Sequence, residues 1–323
     1  MSNDEFLLES ASTLAPQVDQ AMLGLLIICG SALLLILLLV IGFSSRYRKD
    51  SPHARKLERH GSLPLEWGWA IGSMVIFLGL FAWGITIFFA MHVEPSGAEE
   101  ISVVGKQWMW KFQHPNGKRE INELHIPVGQ AVVLKMISQD VIHSLFLPSF
   151  RLKQDVLPGR YTRAWFEASR IGRYHIFCTQ YCGTMHAQMI GRVVVMSATD
   201  YDRWLVSSDV TDDRVLEETS ESRGQKLFTK FACISCHAEG TEQLGPSLNG
   251  LFGSKVKLST GKTIFADDNY IRESILYPNA KIVFGYQPVM PSFLGRMNEE
   301  DLLDLLAYIK SLGQSNAQKA STK

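Results

Sequence analysis

Two short stretches carry the side chains best suited to metal and redox chemistry in this 323-residue chain. The first, CTQYCGTMHAQM from Cys178 to Met189, packs two thiols, an imidazole and a thioether together. The second, CISCH from Cys233 to His237, places two thiols beside one imidazole. Cys-x-x-Cys-His is the attachment signature of a c-type haem. Its spacing lets two thiols add to the two vinyl groups of one porphyrin, and the adjacent histidine then reaches the iron. Thioredoxin-like sites and half of a zinc site share the bare pattern, but no second Cys-x-x-Cys exists in the sequence to complete a zinc site. The sixth iron ligand of high-potential cytochromes is usually methionine. Only Met290 and Met297 follow His237. Met290 lies in the Pro-flanked loop GYQPVMPSF and is the expected ligand. Met297 precedes the N-cap candidate Asn298, where a hydrophobic staple to Leu302 accounts for it.

In the first stretch, Cys178 and Cys182 are four apart, with His186 four further on and Met189 three beyond that. A disulfide is compatible with a site outside the cytoplasm, but it leaves His186 and Met189 unexplained. Zinc rarely takes methionine, whereas cysteine, histidine and methionine together suit copper. Trigonal blue-copper sites use one cysteine. Two thiolates can instead bridge two copper ions, and each ion then needs its own histidine. His143, in DVIHSLFLPSF, is the candidate for the second.

These residues need elements to position them. Two uncharged apolar runs, residues 21–43 and 67–91, each exceed the roughly 20 residues that cross a bilayer as a helix. The first run is too long for a signal peptide and no basic segment precedes it. Between them, residues 46–59 carry six Lys/Arg and two acids. Basic loops stay on the cytoplasmic side, so the N-terminus and everything after about residue 92 are expected outside. The formal net charge of zero gives no argument for nucleic acid. From residue 100 to 196, ISVVGKQWMWKF, NELHIPVGQAVVLKMI, YTRAWFEA, RYHIFC and GRVVVM read as strands, with an Asn-Gly hairpin signal in HPNGK. An all-β sandwich or barrel follows. A short helix over Tyr201–Val206 and an acidic stretch come next. The pattern then turns helical, most clearly in NEEDLLDLLAYIKSLG, with Asn298 as N-cap and Gly313 as the stop.

DVIHSLFLPSFRLKQDVLPGR together with CTQYCGTMHAQM resembles subunit II of haem–copper cytochrome c oxidases. That resemblance covers about residues 20–200. GPSLNGLFG after the haem motif, with Gly224, Phe228 and Tyr308, resembles class I cytochrome c, so the whole chain is similar to the fused, caa-type subunit II. The implied fold is a two-helix transmembrane hairpin, then an all-β cupredoxin-like Greek-key sandwich, then an all-α cytochrome c domain. The implied segments are an outer N-terminal segment (1–20), membrane helices (21–43 and 67–91) around a basic cytoplasmic loop (44–66), a copper domain (92–200), an acidic linker (201–222), a cytochrome domain (223–313) and a disordered tail (314–323).

The resemblance implies a dinuclear copper centre bridged by Cys178 and Cys182. His143 and His186 would bind one copper each, Met189 would be a weak ligand, and Gln180 would offer its backbone carbonyl. It implies one covalent haem c on Cys233, Cys236, His237 and Met290. Trp108, in GKQWMW, matches the family's electron-input tryptophan. Glu66 resembles a glutamate at a proton-channel mouth, although the Thr and Pro that follow it in the family are absent. Gln180 stands where the family often has Glu, so a magnesium site at the subunit I contact loses its usual carboxylate, and Lys106 stands where the family often has His. The implied role is electron input to a terminal oxidase of the bacterial inner membrane. Catalysis would lie in subunit I, with subunit III alongside, and the donor would be a cytochrome c or a quinol-oxidising complex. Electron input to a nitric oxide reductase, and a copper carrier or redox sensor, are the rival functions. His92, His114, His125 and His175 are expected to hydrogen-bond rather than bind metal. Cys29 is expected to pack in a membrane helix. Asp140 and Asp155 are read as solvated surface or a partner-docking patch.

Overall fold

The structure is a computed structural model describing residues 9–49, 51, 62–206, 219–237 and 244–320. It divides into two compact units, one of residues 12–93 and one of the remainder. The smaller unit holds helices α1 (Ala15–Arg46) and α2 (Leu63–His92). Each is apolar around its whole circumference, with mean hydropathies of 3.1 and 2.3 over their most apolar windows. Their large side chains stand open, Leu33 at 69% and Phe77 at 76% exposure. A sleeve of this kind is stable in lipid, where every backbone group is satisfied within the helix. The helices meet where the Trp83 ring covers Gly24, whose absent Cβ would lie 2.7 Å from Trp83 Cζ3. Small residues permit such approaches between membrane helices. Both helices overrun the apolar runs read from sequence. Pro16 and Pro64 stand in their first turns, for which proline is pre-organised. Glu66 therefore lies in the first turn of α2. Most of the basic loop, residues 50 and 52–61, falls outside the described residues, as does the acidic stretch 207–218.

In the larger unit, ten strands form two five-stranded sheets. One, in the order β3-β2-β1-β5-β8, contains β1 (Glu99–Lys106), β2 (Met109–Gln113), β3 (Arg119–Ile121), β5 (Ala131–Ser138) and β8 (Thr162–Glu167). The other, in the order β4-β10-β9-β6-β7, contains β4 (Glu123–Pro127), β6 (His143–Leu147), β7 (Leu152–Val156), β9 (Gly172–Cys178) and β10 (Ile190–Met196). Their inner faces bury Ile101, Val103, Trp110, Leu134, Ile176 and Val193 in one core. Residues β6 and β7 were not among the strands read from sequence. LKQDV carries three polar residues on an edge strand, and HSLFL is short and buried on both faces, so it shows no period two. On β5, both faces are buried. Val132, Leu134 and Met136 face the sandwich core, while Ile137 joins Val104 and Tyr161 in a second core shared with the C-terminal helices.

Helix α3 (Ala198–Val206) closes the sandwich. The haem-motif domain follows with α4 (Ser220–Lys230), α5 (Ile234–His237), a hairpin of β11 (Lys255–Lys257) and β12 (Thr263–Phe265), α6 (Asp268–Leu276) and α7 (Glu299–Ala320). The hairpin is a small addition to the all-α expectation, with its turn made at Gly261, φ +82°. Helices α4 and α7 cross at Gly224, where an added Cβ would fall on the Asp304 carbonyl and lie 2.7 Å from Tyr308 Cβ. Phe228 and Tyr308 pack there with centroids 5.4 Å apart. Asn298 caps α7, accepting from the Asp301 N–H at 2.8 Å. The expected disordered tail is corrected for residues 314–320, because α7 runs on to Ala320. Gly313 is no stop signal. An added Cβ there would approach Gly250 Cα to 3.2 Å, so this glycine serves close packing. Helix-favouring Ala and Gln carry the helix beyond it. Residues 321–323 lie outside the described residues.

Candidate metal centre and haem cleft

Sheet register brings the first set of ligands together. Cys178 ends β9 opposite Leu145 of β6. His143, two residues earlier on β6, therefore arrives at the same end of the sheet. The Cys178 and Cys182 sulfurs lie 3.8 Å apart and are not bonded. His143 Nδ1 stands 4.0 Å from Cys178 Sγ, and His186 Nδ1 stands 3.4 Å from Cys182 Sγ. Each imidazole thus serves a different sulfur. Met189, 1% exposed, places Sδ 3.9 Å from Cys182 Sγ. The Gln180 carbonyl accepts from the Cys178 thiol at 3.3 Å, while its side chain points to solvent. Met185 is 42% exposed and stands apart from this group. Ligand atoms of His143, Cys178 and Cys182 all lie within 4.8 Å of one another.

This donor set fits copper. Thiolate–metal bonds run to about 2.3 Å, so sulfurs 3.8 Å apart can share an ion. Two soft thiolates with imidazoles and a thioether favour copper over zinc, magnesium or calcium. Burial raises the Cys178 thiol, but hydrogen bonds from His143 and the main chain outweigh it and lower the thiol's pKa. Burial and the Cys178 charge push Cys182 the other way.

Sequence reading missed two residues that orient the site. Asp140 Oδ1 accepts from His143 Nε2 at 2.8 Å, which turns Nδ1 towards the sulfurs. Asp140 Oδ2 in turn accepts from the Gln107 N–H at 2.8 Å. Burial would raise Asp140, yet these donors hold it below the usual carboxylate range. It is not a solvated surface acid. Gln107 Nε2 also donates to the Cys182 carbonyl at 2.7 Å, pinning the loop. Trp108, beside it in the β1–β2 turn, lies against the same loop, since a Cβ on Gly183 would meet Trp108 Cζ2 at 3.2 Å. The only sequence signal for Asp140 was its i, i+3 spacing from His143. Asp140→Asn should weaken copper binding about 10–100-fold, the usual effect of losing such a partner, as read by competition with a chelator, with the fold retained.

The second motif opens onto a cleft of about 380 Å³. Cys233, Cys236, His237 and Met290 all line it, with apolar walls from Phe228, Leu248 and Ile275 among others. Met297 does not. His237 Nδ1 donates to the Pro246 carbonyl at 2.8 Å, which makes Nε2 the ring nitrogen available as a ligand. An apolar cleft with two thiols, a prepared imidazole and a thioether fits a porphyrin. Gly245 is required by the close approach, as a Cβ there would sit 2.7 Å from His237 Cε1. Gly245→Val should displace the ring and lower the covalent haem content. Visible absorption and a haem-to-protein ratio would measure it, and an unchanged spectrum would count against this placement of His237.

Four other histidines lie among the described residues. His92 Nδ1 lies 2.8 Å from the Phe88 carbonyl, and His175 stacks on Phe177. His114 pairs with Glu120 at 2.8 Å, and His125 pairs with the same carboxylate. Cys29 is exposed on α1, and Glu66 is exposed on α2.

Fold and sites together define a membrane-anchored redox protein with a cupredoxin-like domain followed by a cytochrome c domain. Residues 118–198 match the family described as cytochrome C oxidase subunit II, periplasmic domain, and residues 221–313 match cytochrome c. Cytochrome c oxidase subunit 2 of Thermostichus vulcanus is 31% identical over 253 residues, covering 61% of this chain and 76% of that protein. Its counterpart from Alkalihalophilus pseudofirmus is 27% identical over 305 residues, covering 91% of this chain and 86% of that one. The solved periplasmic domain of subunit II of cytochrome oxidase from Bradyrhizobium japonicum is 28% identical with a TM-score of 0.34, covering 35% of this chain and 94% of that one. This chain belongs to the cytochrome c oxidase subunit 2 family, with a cytochrome c domain at its C-terminal side. Membership implies copper, and the cytochrome c domain implies haem.

Proposed function

We propose that this chain is the electron-input subunit of a respiratory terminal oxidase in the bacterial inner membrane, with both redox domains on the outer side. When bound, the haem and copper supply one-electron transfer, from an external donor towards a haem–copper subunit I where oxygen is reduced and protons are pumped. Cys233 and Cys236 would anchor the haem, and His237 and Met290 would hold its iron. Cys178 and Cys182 would hold the copper together with the imidazoles of His143 and His186. Met189 and the Gln180 carbonyl complete the set. Trp108, packed on the copper loop, is the electron-input side chain. Burial of Cys182 and Met189 excludes water from the ligands, and Asp140 fixes the His143 tautomer. This chain performs no oxygen chemistry itself. Subunit III is a further expected neighbour, and either a small cytochrome c or a quinol-oxidising complex suits the donor role.

The observation that carries this reading is the convergence of two thiols, two imidazoles and a thioether at one end of the sandwich. Purification of the intact complex from membranes tests it. An oxygen-reducing haem–copper subunit should co-purify, and oxygen should oxidise the reduced c-type haem. Co-purification with a nitric oxide-reducing subunit would contradict the acceptor. Purification alone, with copper lost to a mild chelator, would point to a carrier.

A further inference from the structure

The contact between the two redox domains is charged, buried and complementary. Asp304 of α7 is 2% exposed and gathers donors from several elements. It accepts from Gln113 Nε2 of β2 at 2.7 Å, from Arg119 of β3 at 2.9 Å, and from Arg223 of α4 at 2.8 Å. Asp268 of α6 lies 3.5 Å from Lys135 Nζ of β5 and 2.9 Å from Lys310 of α7. Lys111 pairs with Glu300, Arg272 donates to the Gly159 carbonyl at 2.9 Å, and the Tyr161 N–H donates to Asn269 at 2.7 Å. The sandwich therefore offers the cations Lys111, Arg119 and Lys135, and the haem domain answers with Glu300, Asp304 and Asp268. Around these pairs, Val104, Ile137 and Tyr161 continue the haem domain's own apolar core.

We propose that Asp304 and Asp268 are positioning residues that latch the haem domain onto one fixed place on the β3-β2-β1-β5-β8 sheet. A carboxylate buried this deeply is held by partners from both domains, and removing the sandwich cations alone would leave Asp304 and Asp268 buried with only their own domain's Arg223 and Lys310. The same Asp304 backbone carries the Gly224 crossing, so the latch is anchored where α4 and α7 pack against each other. The haem-to-copper geometry is then set by the fold and not by diffusion of a tethered module. That consequence alone rests on the electron-transfer reading above.

A protease recognition sequence replacing residues 207–218 in the full, haem-loaded chain tests the latch. After cutting, the haem fragment should remain with the copper fragment on gel filtration. Arg119→Gln with Lys135→Met, which leaves the haem domain's sequence untouched, should weaken retention about a hundredfold or more. Asp304→Asn with Asp268→Asn should do the same, and the first pair decides if these fail to fold. Separation of the unsubstituted fragments, or equal retention by the Arg119/Lys135 variant, would overturn the latch. In the uncut Arg119/Lys135 variant, haem-to-copper transfer should slow while the haem spectrum stays unchanged. Normal retention with no transfer would count against the electron-transfer reading and leave the latch intact.

Discussion

Cys178→Ser is expected to abolish the shared copper centre while leaving the sandwich folded. A hydroxyl is close to a thiol in size but is a poor soft-metal ligand. Loss of an outer partner such as Asp140 is worth about 10–100-fold in affinity, and loss of a bridging ligand exceeds that. The variant should bind no more than one copper per chain and stop passing electrons beyond the haem. The metal-free fold should lose only about 1–3 kcal/mol, the cost of a buried hydroxyl short of partners. Metal analysis with thermal unfolding of the metal-free protein checks both halves. Two coppers retained per chain would contradict the bridging role.

Gly224→Val has the second large effect, and it falls on the other domain. The added side chain would meet the backbone carbonyl of Asp304, which cannot rotate away. Overpacking ordinarily costs about 1–3 kcal/mol, and an obstruction of main chain lies at or above the upper end. For a domain of this size, the haem-domain transition should fall by about 10 °C or more. Haem content should drop with it, while copper binding at Cys178 and Cys182 is preserved. Calorimetry on the full chain separates the two transitions, and an unchanged haem domain would mean that α4 and α7 do not cross here.

The haem site was legible because its chemistry is local. Cys233, Cys236 and His237 are contiguous, and Met290 stood out against Met297 by its loop, a choice the cleft supports. The copper loop was half legible. Cys178, Cys182, His186 and Met189 lie within one turn of chain, but His143 is 35 residues away from Cys178. Its place was read from family resemblance, and the structure supplies the reason in the β6–β9 register. Asp140 was misread because an exposed-looking acid reveals its role only when the sheet brings Gln107 beneath it. The interdomain pairs were illegible for the same reason. Gln113 and Asp304 are 191 residues apart, and nothing local marks either one. Gly313 misled because glycine reads as a helix stop, whereas here it admits Gly250.

The most direct test of the account is an electron paramagnetic resonance spectrum of the full-length, copper-loaded protein, with copper and haem counted on the same sample. The account predicts hyperfine structure from one unpaired electron shared by two coppers, beside one covalent haem per chain. A single-copper pattern, or a copper-free protein with a Cys178–Cys182 disulfide, would contradict it.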